Sequence, residues 1–271
     1  MTSPIAALAM YDWPEAAWAN DALWAFLSRF LSGRGIAAPA ELLRKRPYYE
    51  AWRSPDLLLA QTCGYPYATQ LRGAVQLVAT PAYAADGCEA ANYCSLIVAK
   101  RDGGLQSLRD IGAATAAITS ANSQSGHWAL RAAIAAEPLA MPPARAILSG
   151  GHRQSLAMVA DGIADIASID AVCWALAQHH EPAAVAKVRV ITHSPAAPGL
   201  PLISSRTTSA QTIAALRDGL QVMLAEPSLA EARAAVLLSA IEVLPESAYD
   251  RILELQRLAL TKGFPSLEGH P

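Results

Sequence analysis

Charge, aromatic rings and cysteine are all scarce in this chain. Of its 271 residues only 16% are Asp, Glu, Lys or Arg and 6% are aromatic, whereas 53% are hydrophobic. That balance excludes a disordered chain, which needs low hydrophobicity and high charge. Net charge is −2 and Lys and Arg are dispersed, so no electrostatic footprint for nucleic acid or an anionic membrane exists. Long apolar runs are missing too. Asp161, Asp165 and Asp170 interrupt the best of them, well short of the ~18 residues that a membrane insertion needs. The start, MTSPIAALAMYDWPE, has no basic n-region and too short an apolar run for a signal peptide. As written it implies a cytoplasmic chain, or a periplasmic one if a leader precedes it. The four cysteines, Cys63, Cys88, Cys94 and Cys173, show no CxxC spacing and read as buried thiols; a Cys63–Cys88 disulfide stays open. His127, His179, His180, His193 and His270 lack metal-ligand spacing. Neither a metal nor a cofactor is implied.

What the chain does have is a set of polar helix starts at the ends of short apolar strands. Ser149 to Trp174, SGGHRQSLAMVADGIADIASIDAVCW, shows the pattern best. A Ser-Gly-Gly loop opens onto His152, and Leu156, Val159, Ala160 and Ile163 recur at helical spacing. Gly162 suits the left-handed end of that helix. Ala164 to Ile169 then alternates as a buried strand, Asp170 stands where it stops, and a helix begins near Ala171. In open α/β sheets ligands sit beyond the carboxyl ends of strands, and exposed helix-start amides attract anions. A second such start follows the Ala113–Thr119 strand, where Ser123, Gln124, Ser125 and Gly126 lead into a helix from His127 to Ala136.

Elsewhere Ile5 to Met10 reads as a first strand with Tyr11 at its end. Asp12 and Glu15 have capping-box spacing for a helix whose face is Ala16, Leu23, Trp24, Leu27, Phe30 and Leu31. Trp13 and Trp18 read as packing groups, and Arg44 to Arg53 as a solvated basic-aromatic segment. Leu57 to Ala60 is a strand ending in the Gln61–Gly64 loop, which presents Thr62 and Cys63. Val75 to Ala79 and Asn92 to Lys100 are strands, with Tyr93 early in the latter. Helices are expected at Thr212–Ala225, Leu229–Leu237 and Ser247–Lys262. The chain therefore reads as α/β with two lobes: residues 1–97 plus 200–271 form a discontinuous lobe one, and 98–199 an inserted lobe two. Two interlobe crossings make a hinge, and a small ligand is expected in the cleft between the lobes.

At Met10-Tyr-Asp-Trp-Pro14, Gln61-Thr-Cys-Gly-Tyr-Pro66, Asn122-Ser-Gln-Ser-Gly126, Ser149-Gly-Gly-His152 with Ser155, and Ile169-Asp170 the chain resembles a known family. It is similar to the substrate-binding components of phosphate/phosphite/phosphonate ABC transporters, which have a type 2 periplasmic-binding-protein fold. The resemblance implies a solute-binding protein for a small phosphorus oxyanion, acting as transport receptor or ligand sensor, with an ABC-transporter permease as partner. It also implies Tyr11, Tyr93, Ser123, Ser125, His152 and Asp170 as ligand groups. Thr62 joins them from the residue reading, and Gln124 stands where threonine is expected. A carboxylate at Asp170 beside an oxyanion would call for a proton or a ligand amine between them; helix capping is its other reading. The alternative function is an enzyme on the same two-lobed fold, using Cys63 or Ser125 with His152 as base.

Overall fold

The computed structural model describes residues 3–45 and 47–269, so Arg46 and His270 lie outside the described residues. The chain divides into two compact units. Unit 1 comprises Met1–Ala84, Glu89–Ala91 and Pro198–Ala248; unit 2 comprises Ala85–Cys88, Asn92–Ala197 and Tyr249–Pro271.

Unit 1 is built on a five-stranded sheet. Its order is β1 (Ile5–Ala7), β2 (Leu57–Gln61), β12 (Leu202–Ser205), β3 (Val75–Tyr83) and β13 (Leu238–Glu242). β1 and β2 are parallel, whereas β12 runs antiparallel to both its neighbours and β13 antiparallel to β3. β2 and β12 are buried along their whole length, which is why LLLAQ carries apolar residues without alternation. The Ala17–Ser32 helix buries Leu23, Trp24, Leu27 and Leu31 and packs on the Ala210–Ala225 and Ala230–Ala235 helices. Its N-cap is Ala16, which has no capping side chain, and Asp12, four residues earlier, is held by Arg44 and Asn20. Trp13 is buried as expected, but Trp18 is 48% exposed and packs little. The first strand stops at Ala7, and Tyr11 closes a 3₁₀ turn, Ala9–Tyr11. The helix expected at Leu229–Leu237 covers only Ala230–Ala235, and the residues after it form β13.

Unit 2 holds a six-stranded sheet, ordered β10 (Val188–His193), β6 (Ser95–Lys100), β9 (Ile166–Asp170), β7 (Thr115–Ile118), β8 (Arg145–Leu148) and β14 (Leu267–Glu268). β9, β7, β8 and β14 run parallel; β6 is antiparallel to β9 and β10. Ile97, Ile111, Ile118, Leu130, Ile134 and Ile166 form its core. A small third sheet joins β4 (Cys88–Glu89), β5 (Asn92–Tyr93) and β11 (Ala197–Pro198).

Two boundaries differ from the sequence reading. The 97/98 border falls inside β6, whose ladders with β9 and β10 put the whole strand in unit 2. Residues from 249 onward belong to unit 2, not to lobe one. The Asp250–Ala259 helix packs on the Ala129–Ala136 helix, and β14 pairs with β8. Because β9, β7 and β8 are parallel neighbours, their carboxyl ends bring Asp170, the Thr119–Ser123 turn and the Ser149–Gly151 loop to one edge of the sheet.

Candidate anion-binding site

Two helix starts meet at that edge. After β7 the chain turns at Ser123, whose Oγ accepts from the Gly126 amide at 2.9 Å. A π-type turn, Gln124–Trp128, runs directly into the Ala129–Ala136 helix. Gly126 is required by closeness: a Cβ there would lie 2.2 Å from Thr119 Oγ1. Ser168 Oγ donates to the Ser125 carbonyl at 2.6 Å, which fixes the backbone of the turn against β9.

The second start is stitched to the first. Ser149 N and Gly150 N donate to the carbonyls of Ile118 and Thr119 at 2.8 and 3.1 Å. Gly150 takes a φ of +90°, a conformation natural to glycine, and the His152–Ala160 helix begins two residues later. Ser149 Oγ and Ser155 Oγ lie 2.6 Å apart and lock the loop onto the helix. As a result Ser125 Oγ and His152 Nε2 are 2.8 Å apart.

The protonation of His152 decides what this pair can do. Its Nδ1 lies 3.4 Å from the Asp170 N–H, which donates to it. The Ser168 carbonyl pulls the other way and slightly favours a protonated ring. With the Asp170 amide donating to Nδ1 the proton sits on Nε2, which donates to Ser125 Oγ; with a proton on Nδ1 toward the Ser168 carbonyl, Ser125 donates to Nε2 instead. In the first tautomer Ser125's own proton remains available to a ligand. Desolvation pushes His152 down to about 4, so the ring is neutral at neutral pH. The ring keeps a partly exposed edge, where water relieves some of that desolvation.

Asp170 caps the start of the next helix through one oxygen. It is 1% exposed, and its Oδ1 accepts from the Val172 and Cys173 amides at 2.8 and 3.3 Å. The capping reading therefore holds for it; its carboxylate does not orient His152. Gln124 and Tyr93 are buried at this edge of unit 2, Tyr93 two residues ahead of the Ser95–Asp170 register. Nearby, burial and the Asp170 charge push the Cys88 thiol up to about 12, and burial likewise raises Cys94. Protonated thiols are poor nucleophiles. No disulfide joins the four cysteines, so Cys63 and Cys88 are not paired, and His152 is hydrogen-bonded to Ser125 and Asp170.

Unit 1 presents its own expected groups. Tyr11 is buried, edge-on to Tyr83 at 5.1 Å. Gln61 Nε2 donates to Tyr83 Oη at 2.8 Å. Thr62 is completely buried; its amide donates to the Pro201 carbonyl at 3.0 Å and its hydroxyl to the Cys63 carbonyl at 3.4 Å. Sequence reading passed over two features here. Tyr48, Tyr49 and Trp52 form one aromatic cluster, centroids 4.8 to 5.1 Å apart, and Trp52 is pinned to the Gln61 carbonyl at 3.0 Å. A cavity of about 60 Å³ opens beside Tyr11, walled chiefly by Leu23, Trp24, Leu27, Leu220 and Met223. The 3/4 spacing of the Ala17–Ser32 helix was the available signal for its wall. No group of three or more His, Cys, Asp or Glu residues fit to hold a metal occurs among the described residues.

Residues 51–249 match the family described as ABC transporter, phosphonate, periplasmic substrate-binding protein. The chain belongs to this family. Solved structures share its fold across nearly its whole length. A binding-protein component of an ABC phosphonate transporter from Pseudomonas aeruginosa is 20% identical with a TM-score of 0.74, over 96% of this chain and 87% of that one. PhnD1 from Prochlorococcus marinus, in complex with methylphosphonate, is 15% identical with a TM-score of 0.74, over 96% and 98%. XAC2383 from Xanthomonas citri, bound to ATP, is 15% identical with a TM-score of 0.72, over 96% and 98%. No curated protein sequence matches the chain. This member of the phosphonate substrate-binding family is thus a two-lobed α/β binding protein, and among its described residues no helix is long and apolar enough to cross a membrane.

Proposed function

We propose that this protein captures a phosphonate-type oxyanion as the receptor of an ABC transporter, working in the periplasm with a permease as partner. The observation that carries the reading is the 2.8 Å contact between Ser125 and His152 at two adjoining helix starts. In the first tautomer it arranges donors: the Nε2–H serves Ser125 Oγ, Ser125's proton points outward, and helix-start amides flank both. A group of donors suits a dianion. Ser123 keeps a hydroxyl proton of its own to offer, and Tyr93, Gln124 and Tyr11 complete the proposed ligand groups. The phosphonate family membership and the methylphosphonate held by PhnD1 support the same ligand chemistry.

The same contact is what a serine hydrolase reading would want. Its chemistry fits poorly. A general base must take the serine proton, and a histidine pushed down to about 4 is a weak base. In a triad the carboxylate binds Nδ1, whereas Asp170 caps a helix. Thermal-shift and calorimetric titration against methylphosphonate, phosphite, phosphate, sulfate and acetate test the proposal. Saturable binding of phosphorus oxyanions in preference to acetate is expected. Turnover of an activated ester with labelling of Ser125 by a fluorophosphonate, and no anion binding, would replace it with the hydrolase.

A further inference from the structure

Within unit 2, His152 stands between a backbone donor and a backbone acceptor that compete for the same ring nitrogen. The Asp170 amide reaches Nδ1 at 3.4 Å, a long bond that costs little to give up. The Ser168 carbonyl takes a proton placed on Nδ1 instead. Ser168 also donates its Oγ to the Ser125 carbonyl at 2.6 Å, which keeps Ser125 beside the ring in either form. Ser125 Oγ, 2.8 Å from Nε2, follows the ring. With the proton on Nε2, the ring donates to Oγ and the serine proton is left for a ligand oxygen. With it on Nδ1, the serine donates to Nε2 and turns its lone pairs to the ligand. Charged groups on the elements packed against the His152–Ala160 helix do not fix that choice. Arg153 pairs with Glu181, Asp170 caps the following helix, and Lys100 closes β6 at the end away from the Ser95–Asp170 pair. Asp86 is exposed and acts on the Cys88 and Cys94 thiols, and His179 and His180 end the Ala171–His180 helix. The ring answers to its burial first and to the Ser168 carbonyl second, not to these charges, and it stays neutral well below neutral pH.

Resting on the receptor reading above, we infer that Ser125 and His152 form a tautomeric adaptor, which holds a phosphonate equally well as dianion and as singly protonated monoanion. The dianion meets the serine proton; the P–OH of the monoanion donates to the serine lone pairs. In passing between the two forms one proton leaves Nε2 and another reaches Nδ1 through water, so the ring keeps its charge. Calorimetric titration of methylphosphonate from about pH 8.5 to about 5.5 tests it. Affinity should change by less than about threefold, with no net proton exchange in buffers of different ionisation heat. A receptor for the dianion alone loses about tenfold per pH unit below the ligand's second ionisation; that slope overturns the inference and leaves the receptor reading standing. No binding at any pH overturns both. In the complex, ¹⁵N spectra of labelled histidine should show His152 protonated on Nε2 at the upper pH and on Nδ1 at the lower. Methanesulfonate, which has no proton to give, should hold it on Nε2 at both. One tautomer throughout the phosphonate titration overturns the inference. His152→Phe takes away the acceptor that the serine proton needs when Oγ receives a P–OH. Its affinity should fall at both ends of the range, and about tenfold further at the lower. Equal falls would leave His152 a structural part only and overturn the inference.

Discussion

Ser125 and His152 are the residues on which ligand affinity should turn. Each offers a hydrogen bond to an ionised ligand or to the group that makes it, and such bonds contribute about 1.5–3 kcal/mol. Ser125→Ala combined with His152→Ala should therefore weaken methylphosphonate by at least about 100-fold in calorimetry, with less than the sum of the single losses because the two side chains touch. Gly126 makes a second case at this scale. In Gly126→Ala the new methyl meets Thr119 Oγ1, Cγ2 and Cβ at 2.2, 2.4 and 2.8 Å, and a branched side chain fixed at Cβ has no way to swing clear. A loss of about 1–3 kcal/mol in urea unfolding is expected, with recovery of part of it when Thr119→Ala is added. Equal losses in the single and double variants would mean that the clash is not the cause. Sequence alone located these polar helix starts, since hydroxyls and glycines before an apolar helical face have few other uses. The direction of the Asp170 carboxylate was beyond it. Capping the following helix and facing a ligand call for the same residue at the same place, and only the position of the Val172 and Cys173 amides separates them.

Among the elements, the Ala129–Ala136 helix shows how a distant residue completes local structure. Its final carbonyls lack helical partners, as at any helix end. Lys262 Nζ takes one of them, Ile134, at 3.1 Å and the Glu137 and Ala140 carbonyls just past the helix end at 2.6 and 2.8 Å, from more than 120 residues along the chain. Lys262→Met keeps the aliphatic stem but abandons those acceptors, for an expected loss of about 1–3 kcal/mol. Urea unfolding should register the loss, while phosphonate affinity stays within twofold or so; a variant as stable as the parent would show that water replaces the ammonium at no cost. Nothing in the local sequence signals such a cap. β13 escaped for a related reason: Leu-Ser-Ala-Ile-Glu has mixed burial, lies on a sheet edge, and follows an alanine-rich helix whose pattern it continues. Central strands such as β2 were legible, because burial on both faces leaves an uninterrupted apolar run.

Taken as a whole, the molecule should lose stability in mild acid. His127 is 5% exposed, and burial pushes it down to about 4 although its Nδ1 has the Ala121 carbonyl at 2.9 Å. In the unfolded chain the ordinary value of 6.5 applies. Above that value both states are neutral and the full stability is present. As pH falls below it, the unfolded state takes up the proton first, and the loss accumulates until the native ring also protonates near 4, reaching about 3 kcal/mol. Urea unfolding at several pH values between 7 and 4 should trace that decline, and His127→Gln should flatten it, leaving the smaller share of the partly exposed His152. A parallel decline in the variant would assign the acid sensitivity elsewhere. The two-unit organisation was readable from where strand and helix patterns changed. The allegiance of the tail was not, since it depends on β14 finding β8 some 120 residues back.

That late pairing also bears on biosynthesis. β8 stays without one neighbour, and the Ile134–Ala140 carbonyls without their ammonium, until residues 262–268 have left the ribosome. Unit 1 waits as well, for β12 and β13. Until those segments emerge, a nascent chain presents unpaired strand edges in both sheets, the kind of surface on which incomplete folding intermediates associate.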